Sequence, residues 1–197
     1  MAEKKEIVFG IADITIGEGE DQISFDGKNY LQAEGGTLEL TPTYAEITVA
    51  DAGETIIERR LNGWEGSVTI SAAEEDVDIL EVALASTERI TNTDGGADGA
   101  MDAKIGSKPK GRKVRVHPRH LPESVQDMDW VIYNMAATEG FSREYGAEQG
   151  NIEITLTMMP REGFDFSEPG NFFYRGSVDP NADDSGGSDG GGEDSPN

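Results

Sequence analysis

The chain of 197 residues contains no cysteine. Disulfides, thiol nucleophiles and Cys-ligated zinc sites are thereby excluded. Histidine is almost as scarce: His117 and His120 are the only two, both in VHPRHLP. Zinc takes three or four ligands, and no third is indicated beside them. They read as exposed loop histidines next to arginines, and a Ser-His-Asp triad has nothing to stand on. Long apolar runs are also missing. IVFGIA, after Lys4 and Lys5, is too short for a signal-peptide core or a bilayer span. The expectation is a protein made in a cytoplasm that stays soluble. Positive charge is sparse: 16 Lys and Arg stand against 39 Asp and Glu, a net charge of −23. Such a surface repels nucleic acid and anionic membranes on average. The acidity either serves a local task, such as keeping a polyanion from sticking, or reflects a host living in strong brine. Carboxylates are too plentiful for any pair to be singled out as acid and base. No active site is legible, and we expect no enzyme, no cofactor and no bound metal.

What remains is mostly β-strand. Hydrophobic residues make up 36% of the chain, enough for one packed core. Strand-like runs cover 6–17, 22–25, 29–34, 37–41, 44–50, 66–71, 112–117, 129–136 and 151–159. Several alternate with period two, as half-buried antiparallel strands do. In the last, Ile152, Ile154, Leu156 and Met158 face one way and Glu153, Thr155 and Thr157 the other. Asp26-Gly27 is a hairpin signal. One helix is expected, from about 72 to 86. Ser71 and Glu74 fit a capping box, and Val77, Leu80 and Leu84 form an apolar stripe. Residues 91–111 read as a long exposed loop. The domain is expected to span 1–178, followed by a disordered acidic Gly/Ser-rich tail at 179–197.

Three motif matches fail on context. Gly186 to Gly190 matches G-x-S-x-G but lies in the low-complexity tail. Gly106 to Gly111 has P-loop spacing, yet Arg112-Lys113 replaces the required Lys-Ser/Thr. Residues 92–102 lack the ligand spacing and closing Glu of a calcium loop. One charge feature stands apart: Lys104, Lys108, Lys110, Arg112, Lys113, Arg115 and Arg119 form a run with no acid between 103 and 122. It binds nucleic acid, is merely solvated, or meets acidic surface on a neighbouring copy. The first lacks aromatics for base stacking, and the third is favoured because the chain supplies the complementary acid. Trp64 reads as a core or interface anchor beside a turn, and Trp130 as a strand residue in the core.

A family resemblance rests on three stretches. Gly35-Gly36 leads into the strand TLELTP. A polar excursion follows, with Gly53 to Ile56 in an extended hairpin. Gly66 to Ser86 then runs from strand to helix. This resembles the major tail tube protein of long-tailed bacteriophages and archaeal tailed viruses, over roughly residues 7 to 90. Strands 129–159 match in order and kind, while the 91–111 loop and the tail depart from the pattern. The resemblance implies an antiparallel β-sandwich or partial barrel with a flanking helix, whose sheets join between subunits into a closed tube. Stacked hexameric rings would conduct DNA from capsid to host, in a virion tail assembled in the host cytoplasm. Partners would be other copies and the proteins at the tube ends, with no membrane. DNA would pass without specific binding. The loop at about 43–62 and the arms Met1–Glu6 and about 160–178 would reach the adjacent ring. An inner tube of a contractile tail is a close variant. On this reading Thr37, Glu39, Ser67, Thr69, Glu153, Thr155 and Thr157 line the channel. Arg59, Arg60, Trp64, Lys110, Arg112, Lys113 and Arg115 make subunit or ring contacts. The alternative is a monomeric acidic β-domain binding a protein or cell-surface ligand, marked by a surface aromatic cluster or a well-formed pocket.

Overall fold

The computed structural model describes residues 7, 9–94, 96–143 and 150–182. In chain order the elements are β1 (Ala12–Ile16), β2 (Ile23–Phe25), β3 (Thr37–Thr48), β4 (Ile56–Ala72) and α1 (Val77–Ala83). There follow β5 (Thr87–Ile90), β6 (Gly99–Asp102), β7 (Arg112–Pro118), β8 (Trp130–Ala136), β9 (Ile152–Met159) and β10 (Phe173–Arg175). The main sheet runs β2-β1-β7-β8-β9-β4-β3, with β10 on β8, and β5 and β6 form a separate hairpin. Every pairing is antiparallel. The path is open, ending at β2 and β3, so no barrel closes among the described residues.

The sheet folds over where β8 meets β9. Trp130, Val131 and Ile132 of β8 pair with β10, leaving only Asn134, Met135 and Ala136 for β9. The two halves become the layers of a sandwich-like fold around one apolar core. Ile14, Ile16 and Phe25 come from one half and Val68, Ile70, Ile154 and Leu156 from the other, with Ile79 from the helix. The segment before β3 ties the layers together. Gln32 bridges to Ala72 of β4, while its Nε2 donates to the carbonyls of Ala12 and Phe25, both at 2.8 Å. Gly36 passes so close that a Cβ there would lie 2.4 Å from Ile14 Cδ1 and 3.2 Å from the Thr69 carbonyl oxygen.

The structure corrects several expectations. The helix is Val77–Ala83, not 72–86, and its cap is Asp76, whose Oδ1 accepts from the Ile79 N–H at 2.8 Å. Ser71 is unavailable as a cap because it lies in β4, paired with Glu153, and its carbonyl accepts from Ala33. With the later start, the buried face is Ile79, Val82 and Ala83, while Val77, Leu80 and Leu84 are half-buried. The runs 37–41 and 44–50 are one strand, and β4 begins ten residues before the expected 66. Residues 29–34 make only a bridge, although Asp26 and Gly27 do turn the chain, with Asp26 Oδ1 accepting from the N–H groups of Lys28 and Asn29. The 91–111 loop contains β6. His117 is not an exposed loop residue: it lies in β7 and is 3% exposed. Residues 160–178 fold back on their own chain through β10. The start of the expected tail is held too, since Asp179 accepts from Tyr133 Oη and Asn181 Nδ2 donates to the Gly170 carbonyl. Residues 1–6, the rest of the tail from 183 and its G-x-S-x-G match lie outside the described residues.

Candidate assembly surface

Strand alternation places side chains two apart on one face, and register decides which strands contribute to each row. Thr37 of β3 is opposite Thr69 of β4, which is opposite Thr155 of β9. Glu39 is opposite Ser67, which is opposite Thr157, and Ser71 faces Glu153. All seven residues read from the sequence as channel-lining therefore lie on one continuous face across β3, β4 and β9. The intervening Val68, Ile70, Ile152, Ile154 and Leu156 are buried on the opposite face. The polar face bears hydroxyls and carboxylates with no Lys or Arg in these rows. Thr138 Oγ1 reaches Thr157 Oγ1 at 3.3 Å at its margin.

This face ends at an open edge. β3 pairs with β4 on one side and, among the described residues, with no strand on the other. Its backbone from Thr37 to Thr48 is a template for a further strand. Pro42 sits within it, opposite Trp64, in the kind of edge position where a missing N–H is tolerated. Beyond Thr43 and Gly63 the two strands continue as a projecting ribbon, paired from Tyr44–Leu61 to Thr48–Ile56. Residues 53–62 are all exposed. Tyr44, Val49, Ile56, Ile57 and Leu61 are exposed apolar side chains on this arm. Arg59 pairs with Glu46 at 3.0 Å and Arg60 with Glu58 at 2.7 Å, in the open. Trp64 lies at the arm's base, half-buried, edge-on to Phe173 with ring centroids 5.0 Å apart.

The basic run divides in two. Its strand half is committed within the chain. Arg112 donates to the Asp21 carbonyl at 3.1 Å and approaches Glu81 at 3.6 Å. Lys113 contacts Glu18 at 3.0 Å and Asp179 at 3.7 Å. Burial pulls the Lys113 ammonium down, but hydrogen bonding to Glu18 and the nearby negative charges hold it above its ordinary value. Arg115 likewise sits above its ordinary value, burial being outweighed by Glu123 and Asp129. Arg119 pairs with Asp13. Lys113 with Glu18, Arg115 with Glu123 and Arg119 with Asp13 line a cleft of about 740 Å³ along β1 and β7. The loop half differs: Lys104, Lys108 and Lys110 are exposed.

His117 and Asp129 form a buried pair, Nδ1 to Oδ1 2.6 Å. The other ring nitrogen, where a nucleophile would have to sit, faces the Leu121 carbonyl at 3.2 Å. The pair pins the 118–129 loop to β7. No group of three His, Asp or Glu among the described residues is placed to hold a metal ion. No helix among them is long and apolar enough to cross a membrane.

One surface feature escaped the sequence reading. Phe164 and Phe166 are exposed, with ring centroids 4.6 Å apart, and Phe166 stacks towards Phe172 at 6.2 Å. The available signal was GFDFSEPG itself, because two phenylalanines in an acidic Gly/Pro segment have no strand to bury them. No protein-family model matches the chain, and no curated protein matches it in sequence.

Proposed function

We propose that the protein is a structural, self-assembling component of a viral tail tube, forming stacked rings around a bore through which DNA passes. The observation that carries this reading is the hydroxyl and carboxylate face spanning β3, β4 and β9 and ending at the unpaired edge of β3. An open edge beside a wet face is an aggregation hazard in a monomer, and joining to a neighbouring copy removes it. A lining of this kind gives DNA no grip, because only Lys or Arg at a phosphate releases counterions and holds the duplex. At 1 M salt charges are screened within about 3 Å, so the useful property there is the lack of cations. The exposed arm at Tyr44–Leu61 is the element that would reach the next ring. Hexameric symmetry comes from the family resemblance alone. The reading needs no catalytic group and no cofactor.

Negative-stain microscopy of concentrated protein tests it. Rings or tubes are expected, and protein that stays monomeric with its virion partners present counts against it. Thr155→Lys should leave tubes intact and slow DNA ejection; unchanged ejection kinetics would put Thr155 off the bore.

One observation favours the alternative of a monomeric binding domain. The exposed Phe164–Phe166 pair is the surface aromatic cluster that such a domain would use. A stable monomer that loses binding to a protein or cell-surface ligand on Phe166→Ser would support that alternative.

A further inference from the structure

Two exposed loops of this chain carry opposite charge around apolar tips. In the first, the Ser107 N–H donates to the Lys104 carbonyl at 3.0 Å and Gly106 has φ +93°. That turn holds Ile105 at its corner, where it is 94% exposed. Lys104, Lys108 and Lys110 flank it, and among the described residues none of them pairs with an acid.

The second loop is built to keep its shape. Asn171 is buried; its Nδ2 donates to the carbonyls of Asp165 at 2.8 Å and Glu168 at 2.7 Å, and its Oδ1 accepts from the Asp165 N–H at 3.0 Å. The Asp165 carboxylate accepts from the Ser167 N–H and hydroxyl. This scaffold presents Phe164 and Phe166, 48% and 66% exposed, between Glu162 and Glu168.

A chain of net charge −23 repels its own copies, so a contact between copies is favoured where the sign reverses. Most other described cations are already neutralised within the chain, Arg59, Arg60, Arg89, Arg112, Lys113 and Arg115 among them. Lys28 and Arg175 also lack an ion pair but stand singly; among the described residues the turn at 104–110 gathers three such cations, and it carries an apolar residue at its tip. The loop at 162–168 is its complement in both respects.

We infer that the Lys104–Lys110 turn of one copy docks on the Phe164/Phe166 loop of a second copy, with Ile105 against the rings and the lysines facing Glu162 and Glu168. The inference rests on the self-assembly reading and assigns it a contact. The two surfaces differ, so the contact is heterologous and can repeat from copy to copy.

The absence of cysteine makes a cross-linking test clean. Ile105→Cys and Phe166→Cys chains are prepared separately, checked for native circular dichroism, mixed, oxidised mildly and run on a non-reducing gel. If the second chain loses its native spectrum, Glu168→Cys replaces it. A disulfide-linked dimer is expected on mixing, at least about tenfold over either chain alone. Adding Lys104→Glu, Lys108→Glu and Lys110→Glu to the first chain should abolish it. Adding Glu162→Lys and Glu168→Lys to the second chain should then restore it in the Phe166→Cys background. Chains that form rings or tubes without the mixed cross-link overturn this contact and leave self-assembly standing. Chains that sediment as monomers at every concentration overturn both.

Discussion

Asp129, at the end of the 118–129 loop, grips two residues of β7 with one carboxylate. It is 1% exposed and accepts from Arg115 Nε at 2.6 Å while lying 2.6 Å from His117 Nδ1. Removing one partner of a buried charged group leaves the others uncompensated, a loss of about 3–5 kcal/mol. Asp129→Ala should therefore lower the urea midpoint strongly, and a loss below about 1 kcal/mol would show that Glu123, already paired with Arg115, is enough to compensate it. Asp26 offers a pH test. Burial pushes its carboxyl up, but the Asn29 and Lys28 N–H groups that it accepts from hold it below its ordinary value. A folded value below the unfolded one contributes stability that is fully present above about pH 4 and lost as pH falls through the lower folded value. An NMR titration of the Asp26 side-chain carbonyl should give a depressed midpoint. An ordinary midpoint would mean that the turn opens in solution.

At the level of elements, caps and arms separate stability from association. Asp76→Ala should cost about 0.5–2 kcal/mol because it removes the bond to Ile79, whereas Ser71→Ala removes no cap. Equal losses in denaturant melts would contradict the observed helix start. On the arm, Ile57→Ser with Leu61→Ser should change monomer stability by no more than about 0.5 kcal/mol, since both side chains are exposed. The same pair of changes should abolish tube formation in sedimentation assays, and normal tubes would exclude the arm from the contact. What the sequence made legible follows from the same physics. β9 was readable because alternate residues are buried, and alternation likewise marked the hydroxyl positions of β3, β4 and β9, whereas the register that joins them into one face is seen only in the fold. The outer part of β4 was not, because an exposed ribbon needs no apolar alternation. The helix start was misread because Ser71 and Asp76 are both plausible caps, and only pairing with Glu153 and Ile152 shows that β4 continues through Ala72. Burial of His117 was invisible because its partner lies 12 residues away across a loop.

For the molecule as a whole, charge dominates. The strand half of the basic run stabilises its own chain, so reversing Arg112 or Arg115 is expected to disturb folding as well as any ring contact. With these cations engaged, most of the −23 remains as mutual repulsion across the surface. Screening shortens to about 3 Å at 1 M salt, so the melting temperature should rise as sodium chloride goes from low to molar concentration. A flat profile would remove both the repulsion argument and the reading of a brine-dwelling host.

The order of strands in the sheet also sets a clock. β1 pairs with β7, Ile14 opposite Val116, and β4 with β9, Val68 opposite Leu156. A ribosome therefore releases the first strands long before their partners exist. Loops of this length close slowly, placing such topologies in the range of milliseconds to seconds. Throughout that interval the β3 backbone is already available for pairing while the core behind it is unfinished. Crowded synthesis of many copies thus sets correct maturation in a race against premature coalescence.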